Sequence, residues 1–157
     1  MAIVFYPNRD LSKRAVDADP FDINLYRDLR LMKSVMESMK GVGIAAPQVG
    51  INKRIAIIAP PESGFYVLIN PELLWSSDEI VEGVEGCLSV PNLDAKIKRP
   101  YSVQIRYTTL AGVETMKTFE GFEARIVQHE IDHLDGILIV DRMSKVKRML
   151  YKHRRVR

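Results

Sequence analysis

Apolar residues at positions 25, 29, 32, 36 and 39 recur at steps of four and three. That is the spacing of one face of an α-helix, so "DINLYRDLRLMKSVMESMK" (22–40) reads as an amphipathic helix. Asp22 stands where an N-cap is needed and Gly41 where a C-cap is needed. Its methionines fit a core stripe better than a metal site. The period then shortens. "RIAIIA" (54–59), "FYVLIN" (65–70) and "EIVEGVEG" (79–86) are β-like runs, and "YSVQIRY" (101–107) with "VETMKTF" (113–119) flanks "TTLAG" as a hairpin. Helical spacing returns in "GFEARIVQHEIDHLDG" (121–136), where Val127, Ile131 and Leu134 form an apolar stripe and Gly136 marks the end. A short terminal helix follows. Helix, antiparallel strands and helix in that order predict an α+β fold: antiparallel sheets packed around the 121–136 helix, with the amphipathic helix at the N-terminal end.

Length and composition keep that picture simple. The 157 residues suit one domain spanning 1–157, long enough to bury a real core. No apolar run approaches the ~20 residues of a membrane span. The apolar stretch in "MAIVFYPNRD" is too short, and lacks the basic flank, for a signal peptide. The single cysteine, Cys87, excludes an intramolecular disulfide and suits a reducing compartment. A cytoplasmic, monomeric protein with no membrane association is expected.

Charge adds one asymmetry. Net charge is +3, yet residues 142–157 hold eight Lys/Arg and no acid, which leaves 15 basic against 20 acidic residues in the rest. A mildly acidic body with a basic tail points to a polyanion partner for the tail, not to a DNA-binding domain. The candidate contacts are Lys145, Lys147, Arg148, Lys152, Arg154, Arg155 and Arg157.

The candidate chemistry lies in "QHEIDHLDG" (128–136). His129 and His133 sit four apart with Glu130 beside the first, the HExxH spacing that stacks two imidazoles on one helix face with a carboxylate next to the open position. The extended form HExxHxxGxxH is followed through Gly136, but Ile139 stands where a third histidine belongs, and no glutamate follows Glu130. Asp141 is one source of a third ligand, while His153 lies in the basic tail, a poor place to desolvate. Cys87, in "VEGCLSV", is the other source: a thiolate is a strong ligand for a divalent cation, and the glycines of "EGVEG" suit a strand bending around a site. Two imidazoles, a thiolate and a water make a four-coordinate site of the open, catalytic type.

Three stretches, "GVGIAAPQVG" (41–50), "EGCLS" (85–89) and "QHEIDHLDG" (128–136), closely resemble the three motifs of the peptide deformylase family, in the same order and at fitting separations. The resemblance implies that Cys87, His129 and His133 bind one divalent metal ion, with Fe²⁺ favoured and Zn²⁺, Ni²⁺ or Co²⁺ as alternatives. It implies that Glu130 is the catalytic acid/base, and that Gln48 and the backbone N–H of Leu88 hold the substrate oxygen. The substrate class implied is the N-formylmethionyl nascent peptide, cleaved to release formate, and the ribosome then becomes the natural polyanion for the tail. A methionine side chain needs an apolar pocket beside the metal. Phe122 and Ile126, seven and three residues before His129, are candidates with Val42 and Ile44. Gly43 suits the close approach of a peptide backbone, Glu85 and Gly86, just before the cysteine, are further substrate-binding candidates, and Glu85 and Arg99 are a pair that would brace its loop. Two rivals remain open: a small HExxH metallopeptidase using Asp141, and a non-catalytic ribosome-binding module of the same fold.

Overall fold

A computed structural model describes residues 3–155, with side chains described through Tyr151. In chain order the elements are helix α1 (Leu25–Ser38), strands β1 (Gly43–Ala45), β2 (Ile55–Ile58), β3 (Tyr66–Ser76), β4 (Ile80–Cys87), β5 (Val90–Pro100), β6 (Ser102–Thr108) and β7 (Glu114–Glu120), then helices α2 (Gly121–Leu134), α3 (Ile139–Arg142) and α4 (Lys145–Arg155). Strands β1, β2, β3, β6 and β7 form one antiparallel sheet in that order. Strands β4 and β5 form a separate two-stranded sheet.

The five-stranded sheet separates two helices, which explains the uninterrupted apolar run of β2. Strand side chains alternate between faces. Ile55 and Ile57 join Leu25, Leu29, Met32 and Met36 of α1 on one side. Ala56 and Ile58 join Val127, Ile131 and Leu134 of α2 on the other. Burying both faces leaves no polar position. A third cluster, with Leu11, Val90, Leu138, Ile139 and Val140, seats α3 against the turn that carries Cys87.

Several boundaries differ from the sequence reading. Helix α1 starts at Leu25 after Asn24, while Asp22 accepts from the Asn24 backbone N–H (2.9 Å) and pairs with Lys53 Nζ (2.6 Å). Its C-terminal end uses Lys40, at φ 55°, as the left-handed residue, and Gly41 N donates back to Met36 O at 2.9 Å. The glycine is therefore one position past the strained residue, the closing bond of a Schellman-type end. Strand β3 does not stop at Asn70: that residue adopts φ 51° and the ladder to β6 resumes at Glu72 after a register shift. Strands β1 and β5 had no counterpart in the periodicity. In β5, Ala95, Ile97 and Arg99 face inward and Lys96 and Lys98 outward, an alternation hidden because one inward residue is charged.

Candidate metal centre

Helix α2 presents two faces. Val127 and Leu134 are fully buried against the sheet, and Ile131 nearly so. One turn apart on the other side, His129 and His133 bring their Nε2 atoms to 3.2 Å. Strand β4 ends at Cys87, whose pairing with Val90 closes the two-residue turn Leu88–Ser89 and delivers Sγ to 3.2 Å from His133 Nε2. The ligand atoms of Cys87, His129 and His133 all lie within 4.8 Å of one another. This is the only such cluster of three or more His, Cys, Asp or Glu groups among the described residues.

These residues fit a divalent cation. Softness suits a thiolate–imidazole set, and the donors converge on one point. His129 Nδ1 meets Glu85 Oε2 at 3.0 Å, which frees Nε2 to face the site and fixes the ring. Burial opposes a charge on His129, but hydrogen bonds with Cys87 and Glu85 and the nearby Glu130 raise its pKa to about 10. Imidazole and thiolate bind a cation in their deprotonated forms, so metal binding at these residues is coupled to proton release. Burial drives His133 well below its usual value.

Around the donors stands a chain of ion pairs. Arg99 donates from Nε and Nη2 to the two Glu85 oxygens (2.6 and 2.9 Å) and from Nη1 to Asp132 (2.9 Å). Arg142 also pairs with Asp132 through both carboxylate oxygens. Burial works against the Glu85 carboxylate, yet bonds from Arg99 and His129 prevail and hold it far below the ordinary range. Glu85 thus stays an anion that orients His129. The bracing of the cysteine loop by Glu85 and Arg99 was legible from charge. The parts played by Asp132 and Arg142 were not, because a charged residue in a sequence carries no mark of burial.

Glu130 lines the same cleft, of about 460 Å³, and is 3% exposed. Burial lifts its pKa to about 7, and Oε2 has no hydrogen-bond partner. Gln48 is clamped: Oε1 accepts from Ala45 N (2.8 Å), and Nε2 donates to Ser89 Oγ (3.1 Å), with Cys87 Sγ at 3.9 Å. Leu88 and Gly86 line the cleft beside the cysteine.

The other candidates are placed unequally. Val42, Gly43, Phe122 and Ile126 line the cleft, with Ile126 buried and Phe122 half exposed. Ile44 does not: it is fully buried in the α1 cluster. Strand alternation sends residues 43 and 45 towards α2 and residue 44 the opposite way. Asp141 lies outside the donor cluster, its carboxylate accepting from Leu138 N (3.0 Å) and pairing with Arg148 (2.7 Å). That pairing also engages Arg148 within the fold. Lys145 and Lys147 are exposed on α4. The side chains of Lys152, Arg154 and Arg155, and all of Arg157, lie outside the described residues.

Comparison with known proteins points to one family. The polypeptide deformylase family model matches residues 1–149. A peptide deformylase of Thermotoga neapolitana is 42% identical over 144 residues, covering 92% of this chain and 87% of the relative. A class I type b peptide deformylase from Acinetobacter baumannii, solved with Met-Ala-Ser bound, superposes with TM-score 0.88 at 40% identity, covering 91% of this chain and 98% of that one. The peptide deformylase of Ehrlichia chaffeensis gives TM-score 0.92 at 33% identity over 99% of this chain and 97% of its own. With three side chains in its cleft that could hold a metal ion and this likeness along nearly its whole length, the chain belongs to the polypeptide deformylase family of enzymes.

Proposed function

We propose that this deformylase removes the formyl group from N-formylmethionyl nascent peptides by hydrolysis, using Cys87, His129 and His133 to hold one divalent cation. Fe²⁺ is the ion favoured, with Zn²⁺, Ni²⁺ or Co²⁺ as alternatives. A cation held there would supply Lewis acidity toward a water and the formyl oxygen. The protein residues do the rest. Glu130 accepts the proton of the attacking water. As the carbon–nitrogen bond breaks, the same carboxyl passes the proton to the leaving amine, and formate departs. Burial raises the Glu130 pKa above the ordinary carboxylate range, which suits a group that both takes and returns a proton. Gln48 Nε2 and the Leu88 N–H donate to the oxygen that gains charge; one such donor typically contributes ~3–4 kcal/mol. Ile126, Phe122 and Val42 receive the methionine side chain, and Gly43, Glu85 and Gly86 border the peptide backbone.

The observation that carries this reading is the convergence of the three donor atoms within 4.8 Å, with the Glu130 carboxylate in the same cleft. Met-Ala-Ser bound to the Acinetobacter baumannii relative supports a methionyl peptide as product. Formate release from formyl-Met-Ala-Ser tests it. Wild type should turn over, Glu130→Ala should lose ~10²–10⁴-fold in rate with its metal retained, and Cys87→Ala should lose the metal. Full activity in Glu130→Ala would refute the mechanism. Metal loss in Asp141→Ala with retention in Cys87→Ala would favour the metallopeptidase rival.

The setting follows from the substrate. A nascent chain is met in the cytoplasm at the ribosome, and the basic C-terminal stretch offers the polyanion contact, through Lys145 and Lys147 together with Arg148, Lys152, Arg154, Arg155 and Arg157. No helix among the described residues is long and apolar enough to cross a membrane.

A further inference from the structure

We propose that Arg125 is a positioning residue of the metal centre, which together with Gly83 forms a clamp that sets the separation between the strand carrying Cys87 and the helix carrying His129. The inference rests on reading Cys87, His129 and His133 as the cation's ligands. Sheet β4–β5 shares no ladder with the five-stranded sheet, and a two-stranded hairpin is marginal alone. Its seat against α2 therefore depends on side chains. The Arg125 guanidinium reaches both strands at once. Nη1 donates to Glu85 Oε1 (2.7 Å) and Ile97 O (2.9 Å), and Nη2 donates to Val81 O (2.8 Å).

Gly83 is the seat of that guanidinium. A Cβ there would come within 2.8 Å of the Arg125 Cζ and 2.9 Å of Nε and Nη2. Its backbone is not in the left-handed region, so the missing side chain serves space, not conformation. The placement in sequence gives the clamp its consequence. Arg125 precedes His129 by one helical turn, and Gly83 precedes Cys87 by four residues along β4. The contact is thus a strut four residues before a proposed ligand on each element. A planar fork serving three acceptors is a task a lysine ammonium cannot reproduce.

Co²⁺ titration of the chelator-treated protein, followed by the thiolate-to-cobalt charge-transfer and ligand-field bands, tests the clamp alongside thermal melting of the same samples. Arg125→Ala should weaken Co²⁺ binding by about 10- to 100-fold and alter the spectrum. Arg125→Lys should recover part of that loss. Gly83→Ala keeps the arginine but fills its seat, so it should weaken binding in the same direction and add little to Arg125→Ala, as coupled residues do. If Arg125→Ala does not fold, Gly83→Ala and Arg125→Lys carry the comparison. A residue that only stabilised the fold would lower Tm and leave the folded fraction's affinity and spectrum unchanged, and that result overturns the proposal. Failure of wild type to take up Co²⁺ would remove the ligand reading itself; wild-type uptake with unchanged variants would remove the clamp alone.

Discussion

Gly43 and Glu130 meet closely enough to be treated as one unit. A Cβ on residue 43 would fall 2.4 Å from Glu130 Oε1 and 2.9 Å from Ile126 Cγ2. The glycine is needed because a carboxylate occupies the space a side chain would take. Gly43→Ala should therefore fold and bind metal, but push Glu130, the proposed acid/base, out of line and lower kcat by about 10²-fold, the scale of a 1 Å misplacement. Steady-state kinetics with metal analysis would decide it. Wild-type kcat in the metal-loaded variant would show that Glu130 works from elsewhere. Gln48 is fixed in a similar way: Oε1 accepts from Ala45 N, and Nε2 donates to Ser89 Oγ beside the Cys87 sulfur.

At the scale of elements, β4 depends on a buried anion. Glu85 binds Arg99 through both oxygens and also Arg125 and His129. Its pKa lies below the ordinary 4.5, burial notwithstanding, because those partners favour the charge. The unfolded chain then takes up a proton at Glu85 as the pH drops through 4.5, while the native state resists it. This contribution to stability is present above pH 4.5 and lost below it. Glu85→Gln takes one carboxylate partner from buried Arg99 and from half-buried Arg125, so it should be less stable by about 3 kcal/mol at pH 7. That gap should narrow steadily between pH 4.5 and pH 3, measured by urea midpoints. A gap independent of pH would mean that Glu85 titrates normally in the fold.

For the whole molecule, the division between acidic body and basic end is less clean than the residue count suggests. Arg142 is tied into the Asp132–Arg99–Glu85 chain, and Arg148 into Asp141. Met143 and Tyr151 pack on the α3 cluster. Truncating at residue 142 would damage the fold as well as remove charge. Lys145 and Lys147 are the better probes, being exposed cations of α4. Replacing both by alanine should weaken ribosome co-sedimentation and reduce the slope of log affinity against log salt by about 2, with formate release from tripeptides unchanged. An unchanged slope would place the ribosomal contact elsewhere or nowhere.

How much of this was written in the sequence follows from range. Helices α1 and α2, the hairpin of β6 and β7, and the shared face of His129 and His133 all arise from residues within a few positions of one another, where side-chain period suffices. The ligand types and the resemblance in three short motifs pointed to the chemistry for the same reason. Other features depend on partners far along the chain. Strand β5 stayed hidden because Arg99 is an inward residue only once Glu85 and Asp132 are present to neutralise it. Ile44 left the cleft because a three-residue strand, too short to show a period, turned it towards α1. The glycines near Cys87 suggested a pliant strand, whereas packing made Gly83 the seat of a guanidinium. Local patterning determined the elements and the donors; long-range burial of charge decided how they meet, because a buried ion is tolerated only where distant residues compensate it.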